Sequence, residues 1–365
     1  MQRTTTVLPD QSTAKMCQDK LHSFLCSLPK VEHHIHLEGS LDPTLLFELA
    51  KRNNIILPSP SEDPAFENAE TLLARYSRFT SLDDFLHYYF IGMRTLITES
   101  DFQDLAFRYF TKARSQRVVH AEVFFDPQAH TSRGVSFETT MSGFEKAQKR
   151  AKEELGLTSE LIVCLLRHVP AAECHEAYLG AKPWLENRTI TGLGLSSTEL
   201  GNPPALYKQS YDDARAAGFR LTAHAGEEAD VSYMKSAVDD LGCTRIDHGI
   251  KLTEDPELMA RFAREKIMVT MCPLSNVELR CVKSVKELPL RRYLENKVPF
   301  SINSDDPAYF GGYIQENFCA VQEAFSLSIE EWAEIVMNTI TLSWCSEDRK
   351  DEMLKDLSGT LAKYA

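Results

Sequence analysis

The chain has little that would tie it to a membrane, to nucleic acid or to an oxidising compartment. No apolar run approaches the length of about 20 residues that a membrane-spanning helix needs. Residues 1–30 lack the apolar centre of a signal peptide. Positive charge is in short supply: 40 Lys and Arg stand against 53 Asp and Glu, a formal net charge of −13. That balance argues against nucleic acid or an anionic membrane as the main partner and leaves room for a small neutral or cationic substrate. The nine cysteines are odd in number and contain no CxxC pair. They read as reduced, mostly buried thiols of an intracellular protein, in the cytosol and with access to the nucleus. No internal repeat, low-complexity tract or linker divides the chain, so residues 1–365 read as one domain, with the polar residues 1–20 as a loose tail. No motif speaks to oligomeric state.

What is present is an ordinary folded composition, 43% hydrophobic and 25% charged, with a regular alternation of elements. Short apolar or β-branched runs recur at 31–39, 118–125, 161–166, 190–195, 220–223, 244–247, 267–271 and 298–302. Helical periodicity separates most of them, notably over 137–155, 171–179, 205–217, 231–241, 255–265 and 288–296. Helices are also expected over 41–52 and, with a polar break near 98–100, over 71–114. Two more are expected near 330–343 and 349–362. Eight strands alternating with helices predict a (β/α)8 TIM barrel with a helical insertion between strands 1 and 2. The competing arrangement is an open doubly wound sheet. Within the insertion, Phe85, Tyr88, Tyr89 and Phe90 could pack the helix core or cap a site.

In such a barrel the chemistry gathers at the C-terminal ends of the strands. The first strand carries Val31-Glu-His-His-Ile-His-Leu-Glu-Gly39, in which His34 and His36 share one strand face and His33 faces the other way. The fifth leads into Thr222-Ala-His-Ala-Gly-Glu-Glu228, the sixth into Arg245-Ile-Asp-His-Gly249 and the eighth into Ser301-Ile-Asn-Ser-Asp-Asp-Pro307. Each alone has a plain structural explanation. A lone histidine is more often structural, two Asp before Pro make a turn, and two Glu start a helix. Their joint placement on four strand ends points instead to one site. Three histidines and an aspartate suit a divalent ion, with Zn²⁺ the best match and room for a water. Such an ion makes the water acidic near neutrality, and Glu227 and His248 are placed to move protons. Cys272 is a conceivable nucleophile, but a buried thiol is the simpler reading. The residues thus predict metal-assisted hydrolysis of a C–N or C–O bond.

HxHLEG, TAHAGEE, RIDHGI and SINSDDP, in this order, resemble the adenosine/adenine deaminase family of the amidohydrolase superfamily, from about Pro29 to the C-terminal helices. The nucleic-acid type of zinc deaminase is not matched, since P-C-x-x-C is absent. The resemblance implies that His34, His36, His224 and Asp305 bind one Zn²⁺ and that Glu227 protonates the ring nitrogen beside the amino-bearing carbon. It further implies that His248 orients and helps deprotonate the water with Asp305, and that Asp306 holds the far ring nitrogen of a purine. One departure is Glu38, where nucleoside enzymes carry Asp directed at the ribose. Its extra methylene adds roughly 1.3 Å of reach and could fill ribose space. A second is Ser197, where those enzymes carry glycine. With Asp126–Arg133 (DPQAHTSR) and Pro273–Val277 (PLSNV), these departures resemble fungal-type adenine deaminases and imply free adenine as substrate, in purine salvage. An adenosine deaminase, an enzyme for N6-substituted adenines and a catalytically inactive binding barrel are the alternatives. If Glu38 sets the ribose space, Glu38→Asp raises the adenosine-to-adenine ratio of kcat/KM; an unchanged ratio would remove Glu38 from that role.

Overall fold

Eight parallel strands, each hydrogen-bonded to its sequence neighbour, form one sheet in the order β1 to β8. They are β1 (Lys30–Glu32), β2 (Val118–Phe125), β3 (Thr158–Leu166), β4 (Ile190–Ser196), β5 (Arg220–Ala225), β6 (Arg245–His248), β7 (Met268–Met271) and β8 (Phe300–Ile302). The computed structural model describes residues 20–364, so the expected tail falls, except for Lys20, outside the described residues.

Helix α1 (His22–Ser27) precedes β1. The insertion before β2 holds α2 (Pro43–Arg52), α3 (Ala69–Tyr76), α4 (Leu82–Met93) and α5 (Glu99–Ser115). Next come α6 (Pro127–Thr131), α7 (Phe137–Leu155), α8 (Ala171–Glu186), α9 (Lys208–Ala216), α10 (Val231–Asp239) and α11 (Pro256–Glu265). Then α12 (Pro273–Glu278) and α13 (Leu290–Glu295) precede β8, and α14 (Ile314–Phe325), α15 (Ile329–Thr341) and α16 (Glu347–Leu361) follow it. The architecture is the expected (β/α)8 barrel. Among the described residues no helix is long and apolar enough to cross a membrane.

The local reasons are those of the sequence. Helix α7 starts at Ser136, whose side chain accepts from the Thr139 N–H, and stops at Gly156 with φ +64°. Its buried Met141, Phe144, Ala147 and Ala151 recur every three or four residues. Gly143 lets it close on α5: a Cβ there would fall 2.5 Å from the Glu99 carbonyl oxygen. The stretch expected as helix over 71–114 is three helices, because Ser81 caps α4 by accepting from the Asp84 N–H and so ends the preceding turn. Helices α6 and α12 each begin at a proline two residues past a strand and are too short to carry a period.

The first strand departs most from expectation. Regular pairing stops at Glu32, before His34 and His36. Isolated parallel bridges, Ile35 to Asp305 and His36 to Phe124, carry the run onward between the ends of β8 and β2. This run closes the barrel at the end where the histidines lie.

The barrel interior is more polar than its strands suggest. Glu122 of β2 and Arg245 of β6 form an ion pair in which both side chains are buried, and the guanidinium stacks 4.0 Å from the Trp344 ring centroid. Burial pushes the Glu122 carboxyl up, but Arg245, with His33 and His120, reverses this and holds it well below the usual range. Removing one partner of such a pair strands the other charge. Arg245→Met should therefore cost about 3–5 kcal/mol in urea unfolding, with part regained in the Glu122→Gln/Arg245→Met double variant. A single-variant loss under about 1 kcal/mol would show that the charge escapes to solvent.

Candidate active site

His34, His36, His224 and Asp305 converge at the closed end of the barrel. One ligand atom from each lies within 4.8 Å of the others, and all four residues are buried. His34 Nε2 is 3.1 Å from Asp305 Oδ1, and His36 Nε2 is 3.2 Å from His224 Nε2. The outer partners fix how the rings face. The Thr270 hydroxyl donates to Asp247 Oδ1 at 2.9 Å, so its oxygen accepts from His34 Nδ1–H at 2.8 Å. That leaves the His34 Nε2 lone pair pointing inward, buried and without a hydrogen-bond partner. His224 Nδ1 lies 3.5 Å from Asp247 Oδ2, which orients the second ring. Burial holds His36 down at about 3 and His224 well below its ordinary value, so both rings are neutral and offer lone pairs. Three imidazole nitrogens and one carboxylate oxygen facing one point fit a divalent cation. A second grouping, His248, Cys272 and Asp305, shares Asp305. Burial raises the Cys272 thiol well above its ordinary value, which keeps it protonated and a poor ligand or nucleophile. His33 points away and meets Ser343 Oγ at 2.9 Å, as its strand face predicts.

Glu227 and His248 stand together at the same end. Asn276, on α12, has two Nδ2 hydrogens. One is aimed at Glu227 Oε1 at 3.1 Å and the other at His248 Nδ1 at 3.2 Å. Accepting on Nδ1 leaves the His248 proton on Nε2, 3.9 Å from Asp305 Oδ2. Burial, with Asp305 and Glu199 nearby, raises Glu227 well above the ordinary carboxylate value. The Glu227–Glu228 pair is therefore no solvated helix start. Glu199 accepts from the Glu228 and Ala229 amides at 3.1 and 2.7 Å and fixes this turn. His248, Asp305 and Ser197 all sit in the left-handed backbone region, at φ +62°, +64° and +78°. Such conformations cost roughly 1–3 kcal/mol each and mark positions held by their surroundings.

A cavity opens onto these groups. Its polar wall is His36, His224, His248, Glu227, Asp305, Asp306, Asp126, Ser196 and Ser197. Its apolar wall is Leu82, Phe85, Leu86, Tyr89 and Phe90 of α4 with Leu166 and Leu279. Of the insertion aromatics, Tyr88 is absent from the wall and bonds Asp63 at 2.7 Å instead. Asp306 leans on Gly39, where a Cβ would fall 1.9 Å from its Oδ1. Ser197 Oγ bonds His168 Nδ1 at 2.7 Å.

Glu38 is the expectation the structure moves. It is fully buried and does not line the cavity. Its Oε1 takes the Asp126 N–H at 3.1 Å and His130 Nε2 at 2.8 Å. The extra methylene carries the carboxyl to these donors behind the wall. Burial raises Glu38 to about 7, and burial with the neighbouring Glu38 raises Asp126 to about 8. Asp126, Asn276, Ser196 and Glu199 were not selected from the sequence as site residues, although the quoted 126–133 and 273–277 stretches contain two of them.

The sequence model of the adenosine deaminase family matches residues 29–359. A curated adenine deaminase of Aspergillus fumigatus is 54% identical over 352 residues, covering 96% of this chain and 99% of that protein. The crystal structure of adenine deaminase from Arthrobacter aurescens superposes with a TM-score of 0.86 at 39% identity, covering 92% of this chain and 99% of that one. An amidohydrolase structure from Burkhoderia ambifaria with bound Zn superposes with a TM-score of 0.80 at 26% identity, covering 94% and 95% of the two chains.

The ligand geometry has a direct consequence. His224→Ala and Asp305→Ala should lower metal content, measured by plasma mass spectrometry after gel filtration, from about one ion per chain to well below that. Stoichiometric metal retained in both would place the ion elsewhere.

Proposed function

The chain belongs to the adenosine deaminase family, and we propose that within it this protein is a zinc-dependent adenine deaminase, converting adenine and water to hypoxanthine and ammonia. The observation that carries the reading is the joint one. The chain matches adenine deaminases over nearly its full length, and the ligand cluster, an acid and a base face one cavity.

His34, His36, His224 and Asp305 would hold the ion, which supplies the acidity that lets a water attack near neutrality. The chain's own residues do the rest. Glu227, kept protonated by burial, gives its proton to the ring nitrogen beside the amino-bearing carbon, so that carbon accepts the attacking oxygen. His248, with its Nδ1 occupied by Asn276, turns its Nε2–H toward Asp305, where the imidazole orients the water and the Asp305 carboxylate takes its proton. Asp306 holds the far ring nitrogen and Ser197 borders the base. The apolar face of α4 covers the ring and excludes bulk water. The proton taken from the water passes to the amino nitrogen, the C–N bond breaks and ammonia leaves. We assign the whole chain to one hydrolase domain. Its reaction belongs to purine salvage in the cytosol and nucleus, a setting that the free, mostly buried cysteines among the described residues fit.

Ammonia release on adenine and adenosine tests the reading, and a larger kcat/KM for adenosine would sink it. Glu227→Gln should keep its zinc and lose about 10²- to 10⁴-fold in kcat. The pH sign follows from the raised carboxyl. The active form is protonated, so kcat/KM is sustained below its pKa and falls as pH rises through it. Glu227→Gln should abolish that alkaline limb. A near-normal kcat, or an unchanged limb, would assign the proton to another group.

A further inference from the structure

We propose that Asp126, not Glu38, is the residue that reads the ring N–H of the substrate's five-membered ring and thereby selects a free base over a nucleoside. The inference rests on the adenine reading above. It starts from what the cavity leaves unassigned. The acidic residues on its wall are Asp126, Glu227, Asp305 and Asp306. Asp305 belongs to the ligand cluster, Glu227 to the six-membered ring and Asp306 to the bare nitrogen of the five-membered ring. A neutral free purine still presents one N–H on that ring, and Asp126 is the remaining acidic group to accept it.

The support around Asp126 is that of an aimed acceptor. The Ser196 hydroxyl donates to Oδ1 at 3.1 Å and the Tyr89 hydroxyl to Oδ2 at 3.1 Å. The carbonyl oxygen keeps a free lone pair even with the group protonated, as burial favours, so one acceptor stays open to the ring. Behind it, the Asp126 amide donates to Glu38 Oε1 at 3.1 Å. Arg133 Nη2 lies 2.9 Å from His130 Nδ1, which must accept from the guanidinium. The His130 hydrogen is then on Nε2 and donates to the same Glu38 Oε1 at 2.8 Å. Glu38 is thus a positioning residue that pins the backbone of Asp126. A ring substituted at the sugar-bearing nitrogen has no N–H to give and places carbon against a buried acceptor. Sites built to bond an N–H reject analogues lacking it by about 10⁴–10⁵.

The test compares zinc-loaded wild type, Asp126→Asn, Tyr89→Phe and Ser196→Ala. Binding of hypoxanthine and 9-methylhypoxanthine is read by calorimetry, and turnover of adenine by ammonia release. Wild type should prefer hypoxanthine by about 10² or more, a conservative fraction of the discrimination such sites reach. Asp126→Asn should lose most of that preference and raise KM for adenine more than it lowers kcat. Tyr89→Phe and Ser196→Ala, which keep the Asp126 carboxyl but each remove one hydroxyl that holds it, should lose part of it. Asp126→Asn retaining the wild-type preference overturns the proposal. If that variant fails to fold, an unchanged preference in both other variants overturns it equally. Wild type releasing no ammonia from adenine would instead defeat the adenine reading, while the binding preference continues to decide Asp126.

Discussion

Two backbone amides hold the site together. The His36 N–H donates to the Asp305 carbonyl at 2.9 Å, and the Asp305 N–H donates to the His34 carbonyl at 3.0 Å. On the other side of the same run, the Phe124 N–H donates to the Ile35 carbonyl at 2.8 Å and the Leu37 N–H to the Phe124 carbonyl at 2.9 Å. The four bonds stitch the end of β8 to the end of β2 through the histidine run. Closing the barrel and gathering the ligands are therefore the same event. Asp305 adopts φ +64° because its main chain must serve this ladder while its side chain turns inward. The residues that bind cannot drift from the residues that close the sheet.

That coupling explains how so much buried acid is tolerated in one place. Glu38, Asp126, Asp247, Glu227, Asp305 and Asp306 are all buried near the closed end. Uncompensated, each would resist ionisation or the fold would resist each of them. The structure answers case by case. Asp247 accepts from the Thr222 and Thr270 hydroxyls, Asp305 from Ser275 Oγ at 2.6 Å, and Glu199 from backbone amides. Glu227 goes the other way: burial keeps it neutral, and a neutral carboxyl is the form that can give a proton. The same low-polarity setting thus holds Asp305 low and Glu227 high, with Asn276 as the shared donor that orients Glu227 and the imidazole beside it.

Much of this was legible in the sequence where residue spacing maps onto a single element. The period-2 spacing of His34 and His36 placed both rings on one side and His33 on the other, although the strand hydrogen bonding ends earlier than the motif. The span of α7 was readable from its period. What escaped was contact between elements distant in sequence. Asn276 lies on a six-residue helix with no period to read, and its partners come from β6 and the turn after β5. Glu38 was noticed for its length, but length does not give direction. Only the fold shows that His130, nearly a hundred residues on, waits behind the wall to receive it. The three left-handed site residues were equally silent, since none is glycine and the strain comes from tertiary constraint.

The shift from Glu38 to Asp126 changes how selectivity is understood in this barrel. A longer side chain that merely filled space would exclude a sugar by bulk, and bulk discriminates less than an unmet hydrogen bond. A carboxyl held by two hydroxyls on a pinned backbone acts differently. Tyr89 comes from the cap, Ser196 from β4, the amide of Asp126 itself from the end of β2, and His130 and Arg133 from the segment after it. All of them are spent on keeping one acceptor still. An acceptor held that firmly cannot swing away to tolerate a ligand without a hydrogen to offer, so the penalty for the wrong ligand is an unsatisfied buried group rather than a clash. Glu38 then belongs to the opening motif for a structural reason. Two residues beyond His36, it ties the backbone of the histidine run to the backbone of Asp126, so the His/Asp cluster and the selective edge are set by one continuous hydrogen-bonded frame.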